Sequence, residues 1–187
     1  MMKQTLLTMF SLLLVVLVVF TACNSTFAEK HPPKVVFVNG YADGVVQKTL
    51  FGKAIKDKEL PIICIDSQAS MDEFNQKARE NCYMMVGTDG NPVELPTIAG
   101  YNDVVTPYTE EFFKEKSLLI SYIYVNANPV EFEVSDISIQ DGKVTVSIDA
   151  FNFGVNSAST EYFIFIEMPK SDLKGVTEFA AAYDVME

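Results

Sequence analysis

The sequence predicts an α+β fold, a mainly antiparallel β-sheet with one principal helix packed on one face. Three observations point to it. Residues 118–125 (LLISYIYV) and 162–166 (YFIFI) are short, nearly continuous apolar runs rich in β-branched and aromatic side chains. That composition suits strands covered on both faces. Between them Ile137 and Ile139, then Val144, Val146 and Ile148, alternate with polar residues on either side of Asp141 and Gly142. An Asp-Gly pair accepts the positive φ angles of a two-residue type I′ turn, which matches strand twist. Upstream, Met71, Phe74 and Ala78 recur at helical spacing, the mark of a helix with one apolar stripe.

Strands are therefore expected near 118–125, 130–140, 143–151 and 161–168 in one antiparallel sheet, covered by a helix over 70–81. Phe132 and Val134 have the opposite parity to Ile137 and Ile139. A bulge near Ser135 and Asp136 restores a common inward face. Ser70 and Glu73 have the spacing of a capping box for the helix, and Lys77 and Arg79 suit its negative C-terminal end. Further strands are expected at 34–38, 61–65 and 82–86. Residues 41–58 have weak periodicity and read as extended pieces and loops. The stretch 87–107 reads as a long turn-rich connection, either a functional loop or a surface excursion with a short edge strand at 92–95. Thr109 is placed to cap the turn before Phe112. Phe179, Ala181, Tyr183 and Val185 alternate toward a last strand, although the alanine run also tolerates helix.

The start of the chain concerns delivery. Lys3 precedes an apolar run over 6–22, and no acid appears before Glu29. This is the pattern of a secretory signal. Phe20, Thr21, Ala22 and Cys23 then resemble the lipobox of bacterial lipoproteins, in which small residues precede the cysteine that is lipidated. The resemblance implies a signal peptide over 1–22 and lipidation of Cys23; the polar, proline-containing residues after it suit a tether over 23–33, and the remaining length suits a single domain over 34–187. The expected location is the extracytoplasmic face of the cell membrane, held by a lipid anchor. Two alternatives stay open: cleavage after Thr26, Phe27 and Ala28, and an uncleaved apolar anchor.

Composition narrows the chemistry. The 187-residue chain carries a formal net charge of −11, and no Lys/Arg cluster offsets it, which disfavours nucleic acid as a partner. Its one histidine, His31, falls in the tether, away from any serine or cysteine that needs a base. Cys64 and Cys82 remain for the domain. Export permits a disulfide between them, and two small buried thiols are the other reading. Too few soft ligands exist for a zinc set, and Asp89, Asn91 and Glu94 depart from the order of a calcium loop. Nucleotide-binding glycine loops do not occur. The reading is a protein that is not an enzyme and carries no cofactor or metal. A hydrolase using two of its 25 acids stays as a third-ranked alternative.

The ordered pattern of 112–120 (FFKEKSLLI), the hairpin around Asp141 and Gly142, and 163–170 (FIFIEMPK) resembles the C-terminal domain of PrcB-like protease-complex lipoproteins. Residues 65–67 (IDS) followed by 71–74 (MDEF) are similar to the strand and helix that precede it there. The resemblance covers about 61–170 and departs at 126–129 (NANP), where a glycine-containing strand start belongs. It implies an exported, lipidated module whose partner is another exported protein, a protease that it helps to assemble or stabilise. It carries over no catalytic residue. The alternative function is a small-molecule or glycan-binding envelope lipoprotein.

Overall fold

Two sheets, not one, organise the domain. A computed structural model of the chain describes residues 33–84, 101–125, 128–154 and 160–186. In chain order the elements are β1 (Val35–Tyr41), α1 (Gly44–Phe51), β2 (Glu59–Leu60), β3 (Ile62–Ile65), α2 (Gln68–Asn81) and β4 (Tyr83–Met84). They continue with α3 (Tyr101–Val105), α4 (Phe112–Glu115), β5 (Lys116–Val125), β6 (Asn128–Gln140), β7 (Lys143–Gly154), β8 (Thr160–Pro169) and β9 (Glu178–Val185). The five-stranded sheet runs β3-β5-β8-β1-β4, and the four-stranded sheet runs β2-β9-β7-β6. Among the described residues all pairings are antiparallel except β7 with β9. The class is α+β with strands predominating, as the sequence predicts.

The two apolar runs are β5 and β8, paired with each other along their whole length in the interior of the five-stranded sheet. Both are buried on two faces because alternate residues enter different cores. Leu118, Ile120, Tyr122, Phe163 and Phe165 meet the helices. Leu119, Ile123, Ile164, Ile166 and Met168 meet the second sheet. The result is three layers: helices, five strands, four strands. The expected single sheet is thus divided, since β6 and β7 form their hairpin in the other layer.

That hairpin follows its local chemistry. Asp141 and Gly142 have φ of 50° and 76°, both positive as a type I′ turn requires. The Gly142 carbonyl accepts from the amides of Thr177 (2.8 Å) and Glu178 (3.2 Å), which starts β9 beside β7. The register of β6 shifts between Val134 and Asp136. Phe132, Val134, Ile137 and Ile139 all therefore pack toward the core between the sheets.

Helix α2 presents Met71, Phe74 and Ala78 to the helix-side core. Its cap differs from the expected box. Ser67, not Ser70, is the N-cap, and its hydroxyl accepts from the Ser70 amide. The helix therefore begins a turn earlier, and the Glu73 carboxylate is engaged by Lys77 one turn on, at 2.6 Å. Residues 41–58 also correct the expectation of loops, because they contain α1. Asp43 accepts from the amides of Val45 (2.8 Å) and Val46 (2.9 Å), and Gly52 closes the helix with φ 75°. Buried Gln47 secures its inner side by donating to the Ala42 carbonyl (2.7 Å) and accepting from the Ile55 amide (2.9 Å).

Pro61 joins the two sheets. It separates β2, paired in the four-stranded sheet, from β3, paired in the five-stranded one. Its carbonyl accepts from the buried Ser121 hydroxyl at 2.8 Å and from the Tyr122 amide at 3.3 Å. Proline has no N–H to leave unpaired at such a crossing. One side of the sandwich is closed by this strand.

Candidate interaction surface

The opposite side is where β6 and β1 lie. β6 is the last strand of its sheet, and among the described residues no strand pairs with its outer edge. Among the described residues β1 meets β4 only at Gly40 and Tyr41. Between these strands three half-buried rings assemble. Phe37 stacks on Phe132 at 6.0 Å, and Tyr162 meets Phe132 edge-on at 5.3 Å and Phe37 at 6.2 Å. Each ring packs on the inter-sheet core and keeps an accessible side. Aromatic residues with one packed and one open face are what interface centres are built from.

The outer face of the same sheet is acidic. Register aligns Glu133 of β6 with Asp149 of β7, and Asp149 with Asp184 of β9. Like charges directly opposite one another on a sheet repel. Lys58 pairs with Asp184; among the described residues no ammonium pairs with Glu133, Asp136 or Asp149.

A second charged feature sits at the other end of β1. Glu167, which follows the apolar run 162–166 in β8, is 7% exposed and accepts from Lys34 Nζ (2.9 Å) and Lys116 Nζ (2.8 Å). Burial pushes its carboxyl up, but hydrogen bonds and charge from Lys116 and Lys34 outweigh burial and hold it below the usual carboxylate range. Lys34 is where the proposed tether enters the fold. The clamp therefore ties the residue just before β1 to β8.

Of the two readings of the cysteines, the structure fits the thiols and not the disulfide. Cys64 and Cys82 are both free. Cys64 lies in β3 and Cys82 just before β4, the opposite edges of the five-stranded sheet. Four strand spacings separate those edges, about 19 Å, against a Cα limit of about 7 Å for a bridge. The 14-residue helix α2, about 21 Å long, carries the chain across that width. The stripe of Met71, Phe74 and Ala78 does face the sheet, but it ends far from β3. The thiols also enter different cores, Cys64 between the sheets and Cys82 on the helix side. Burial pushes Cys64 up to about 11 and Cys82 up to about 12, so neither is a nucleophile near neutral pH. Alkylation of denatured, unreduced protein is expected to label both, and dithiothreitol is expected to leave the melting temperature unchanged. A reductant-dependent loss of stability would restore the bridge.

Cys23, His31, the apolar run at 6–22, the loosely calcium-like Asp89, Asn91 and Glu94, and the edge strand at 92–95 lie outside the described residues. The end of the 87–107 stretch is described and is not free loop. Tyr101, Val104 and Val105 of α3 are buried in the helix-side core, and the Tyr101 hydroxyl donates to the Asn75 side chain. Among the described residues no group of three or more His, Cys, Asp or Glu side chains is placed to hold a metal, and no helix is long and apolar enough to cross a membrane. Sequence reasoning missed the ring trio, whose members come from three strands distant in the chain. It also passed over Glu167, although a lone acid inside YFIFIEM was a visible signal.

Among the described residues the fold and this surface define an α/β/β-layered domain closed along one side and open along the other. Compared with protein families, curated proteins and solved structures, the chain matches none.

Proposed function

We propose that this chain is a lipid-anchored extracytoplasmic module that binds another exported protein without catalysis, in the manner of a protease-complex subunit. The observation that carries the binding reading is the open side of the sandwich, where the accessible rings of Phe37, Phe132 and Tyr162 lie beside the outer edge of β6. A partner gains apolar contact from the rings and backbone hydrogen bonds from the edge. The lipobox-like residues ending at Cys23 support the anchor, and the pattern over 61–170 supports a protease as the partner.

The test is crosslinking in the native envelope followed by mass spectrometry, comparing the wild type with Phe37→Ser/Phe132→Ser. Recovery of one exported protein that the double variant loses is the expected result. Equal recovery by both proteins removes this surface from the proposal, and substrate turnover that depends on a single carboxylate removes the non-catalytic reading. The same rings are the ground for a small-molecule or glycan ligand, and a ligand-induced shift of their NMR signals without any protein partner would favour it.

The anchor has its own test. Cys23→Ala is expected to leave the fold unchanged and move the protein to the soluble fraction after a carbonate wash, because each buried lipid methylene contributes about 0.8 kcal/mol. Retention of the variant in the membrane would show that the apolar run over 6–22 is an uncleaved anchor.

A further inference from the structure

We infer that the partner docks on β6 as an added strand whose residues alternate between basic and apolar. This rests on the binding role proposed above and names its chemistry. β6 spans Asn128–Gln140 and is the outermost strand of its sheet, and among the described residues no strand pairs with its outer backbone groups. A strand added there sends alternate side chains to the two faces of the sheet. On the inner face they arrive beside Phe132, with Phe37 and Tyr162 behind it. On the outer face they arrive beside Glu133 and Asp136, with Asp149 across from Glu133 on β7. Apolar residues answer the first set and lysine or arginine the second.

The charge pattern also selects against the commonest wrong occupant. A second copy of this chain carries the same net charge of −11, and antiparallel pairing of two β6 strands brings Glu133 and Asp136 toward their counterparts. Acids, bulges and prolines on an edge are the devices by which sheets refuse indiscriminate pairing. β6 has all three, in Glu133 and Asp136, the shift at Val134 to Asp136, and Pro129. The edge is thereby reserved for a strand that neutralises the acids, and the attraction weakens with salt.

The probe is a nine-residue peptide alternating lysine with valine and phenylalanine. Its glutamate counterpart, and a version N-methylated on the amides that pair with β6, are the controls. The full chain in detergent is titrated with each, and amide exchange along β6 is followed. The lysine peptide is expected to bind at least tenfold more tightly than either control and to slow exchange in β6. Glu133→Lys/Asp136→Lys is expected to weaken it at least tenfold while the melting temperature holds. Equal binding of the N-methylated peptide reduces the effect to charge alone and overturns strand addition. Unchanged exchange in β6 does the same without relying on any variant. Slowed exchange that rises with protein concentration, with no peptide present, assigns the edge to a second copy and overturns the inference. Where the envelope partner is still captured by Glu133→Lys/Asp136→Lys as well as by wild type, this inference fails and the binding role stands. Where wild type captures no exported partner, the binding role itself fails.

Discussion

Phe163→Ala is expected to cost about 3–5 kcal/mol, the range for removing a buried aromatic ring and leaving a cavity. Phe163 is fully buried in the middle of β8. It lies 4.9 Å from the Tyr122 ring on β5 and stacks on Phe51 of α1 at 6.2 Å. Phe51 in turn meets Phe74 of α2 at 6.1 Å. Phe163 thus joins the central strands to α1 directly and to α2 through Phe51, and the backbone cannot collapse into the gap without breaking the β5–β8 ladder. For a domain of this size the loss corresponds to a fall in melting temperature of roughly 6–20 °C. Val45→Ala, at a side chain 73% exposed on α1, should stay within about 0.5 kcal/mol. Denaturant titration of the two variants measures the contrast. A loss below about 1 kcal/mol at Phe163 would mean that the helix layer is not packed on the sheet as described.

Removing both lysines from the Glu167 clamp is expected to destabilise the domain by about 3–5 kcal/mol at neutral pH, because a buried carboxylate is left without a counter-charge. Lys34 and Lys116 are 61% and 47% exposed, so they lose little hydration in the clamp, whereas Glu167 is 7% exposed. Lys34→Met/Lys116→Met should therefore cost far more than the reverse change, Glu167→Gln, which returns two cations to water. The pH dependence gives the sign. In the wild type the folded carboxyl titrates below the usual range. Its stabilisation is present above the unfolded value of about 4.3 and is lost as pH falls through the depressed folded value. With both ammonium groups gone, only burial acts and the folded value rises above the unfolded one. The contribution then reverses: the double variant is relatively more stable in acid and loses stability as pH rises past about 4. Adding Glu167→Leu should recover much of the loss, as apolar replacement of a buried ionic group does. Thermal melts from pH 3 to 8 decide the matter. A double variant whose pH profile merely parallels the wild type would show that Glu167 is solvated and the clamp unimportant.

The clamp and the core illustrate different degrees of legibility. Strands β5 and β8 were readable because a strand covered on both faces must be apolar at consecutive positions, and LLISYIYV and YFIFI are. The hairpin was readable because Asp141 and Gly142 satisfy a local backbone requirement that needs no distant partner. The bulge followed from a parity conflict between Val134 and Ile137. By contrast α1 was not readable. Its buried side consists of Gln47, Leu50 and Phe51, too short a stripe to show a period, and its stability comes from the sheet beneath it.

The candidate site was less legible than the fold. The sequence singled out 87–107 as a candidate functional loop, and the ring trio lies elsewhere. Phe37, Phe132 and Tyr162 converge only because β1, β6 and β8 come from two different sheets, and no spacing in the chain encodes that. The cysteine pair shows the same gap from the other side. A helical stripe correctly placed Met71, Phe74 and Ala78 against a sheet. It carried no information on which strand the far end would reach, and α2 crosses the whole sheet before delivering Cys82.

The α+β class, the two doubly covered strands, the type I′ hairpin with its bulge and the apolar face of α2 were all legible in the residues. These depend on backbone conformation and on periodicity over a few residues, which local chemistry dictates. The division into two sheets, the crossing at Pro61, the distance between Cys64 and Cys82, the burial of Glu167 between two lysines and the β6 edge left unpaired among the described residues emerged with the packed fold. Each of these depends on which distant segments pair. Alternative pairings of similar apolar strands bury similar area and differ only in shape and register, so composition cannot rank them, and the packed layers do.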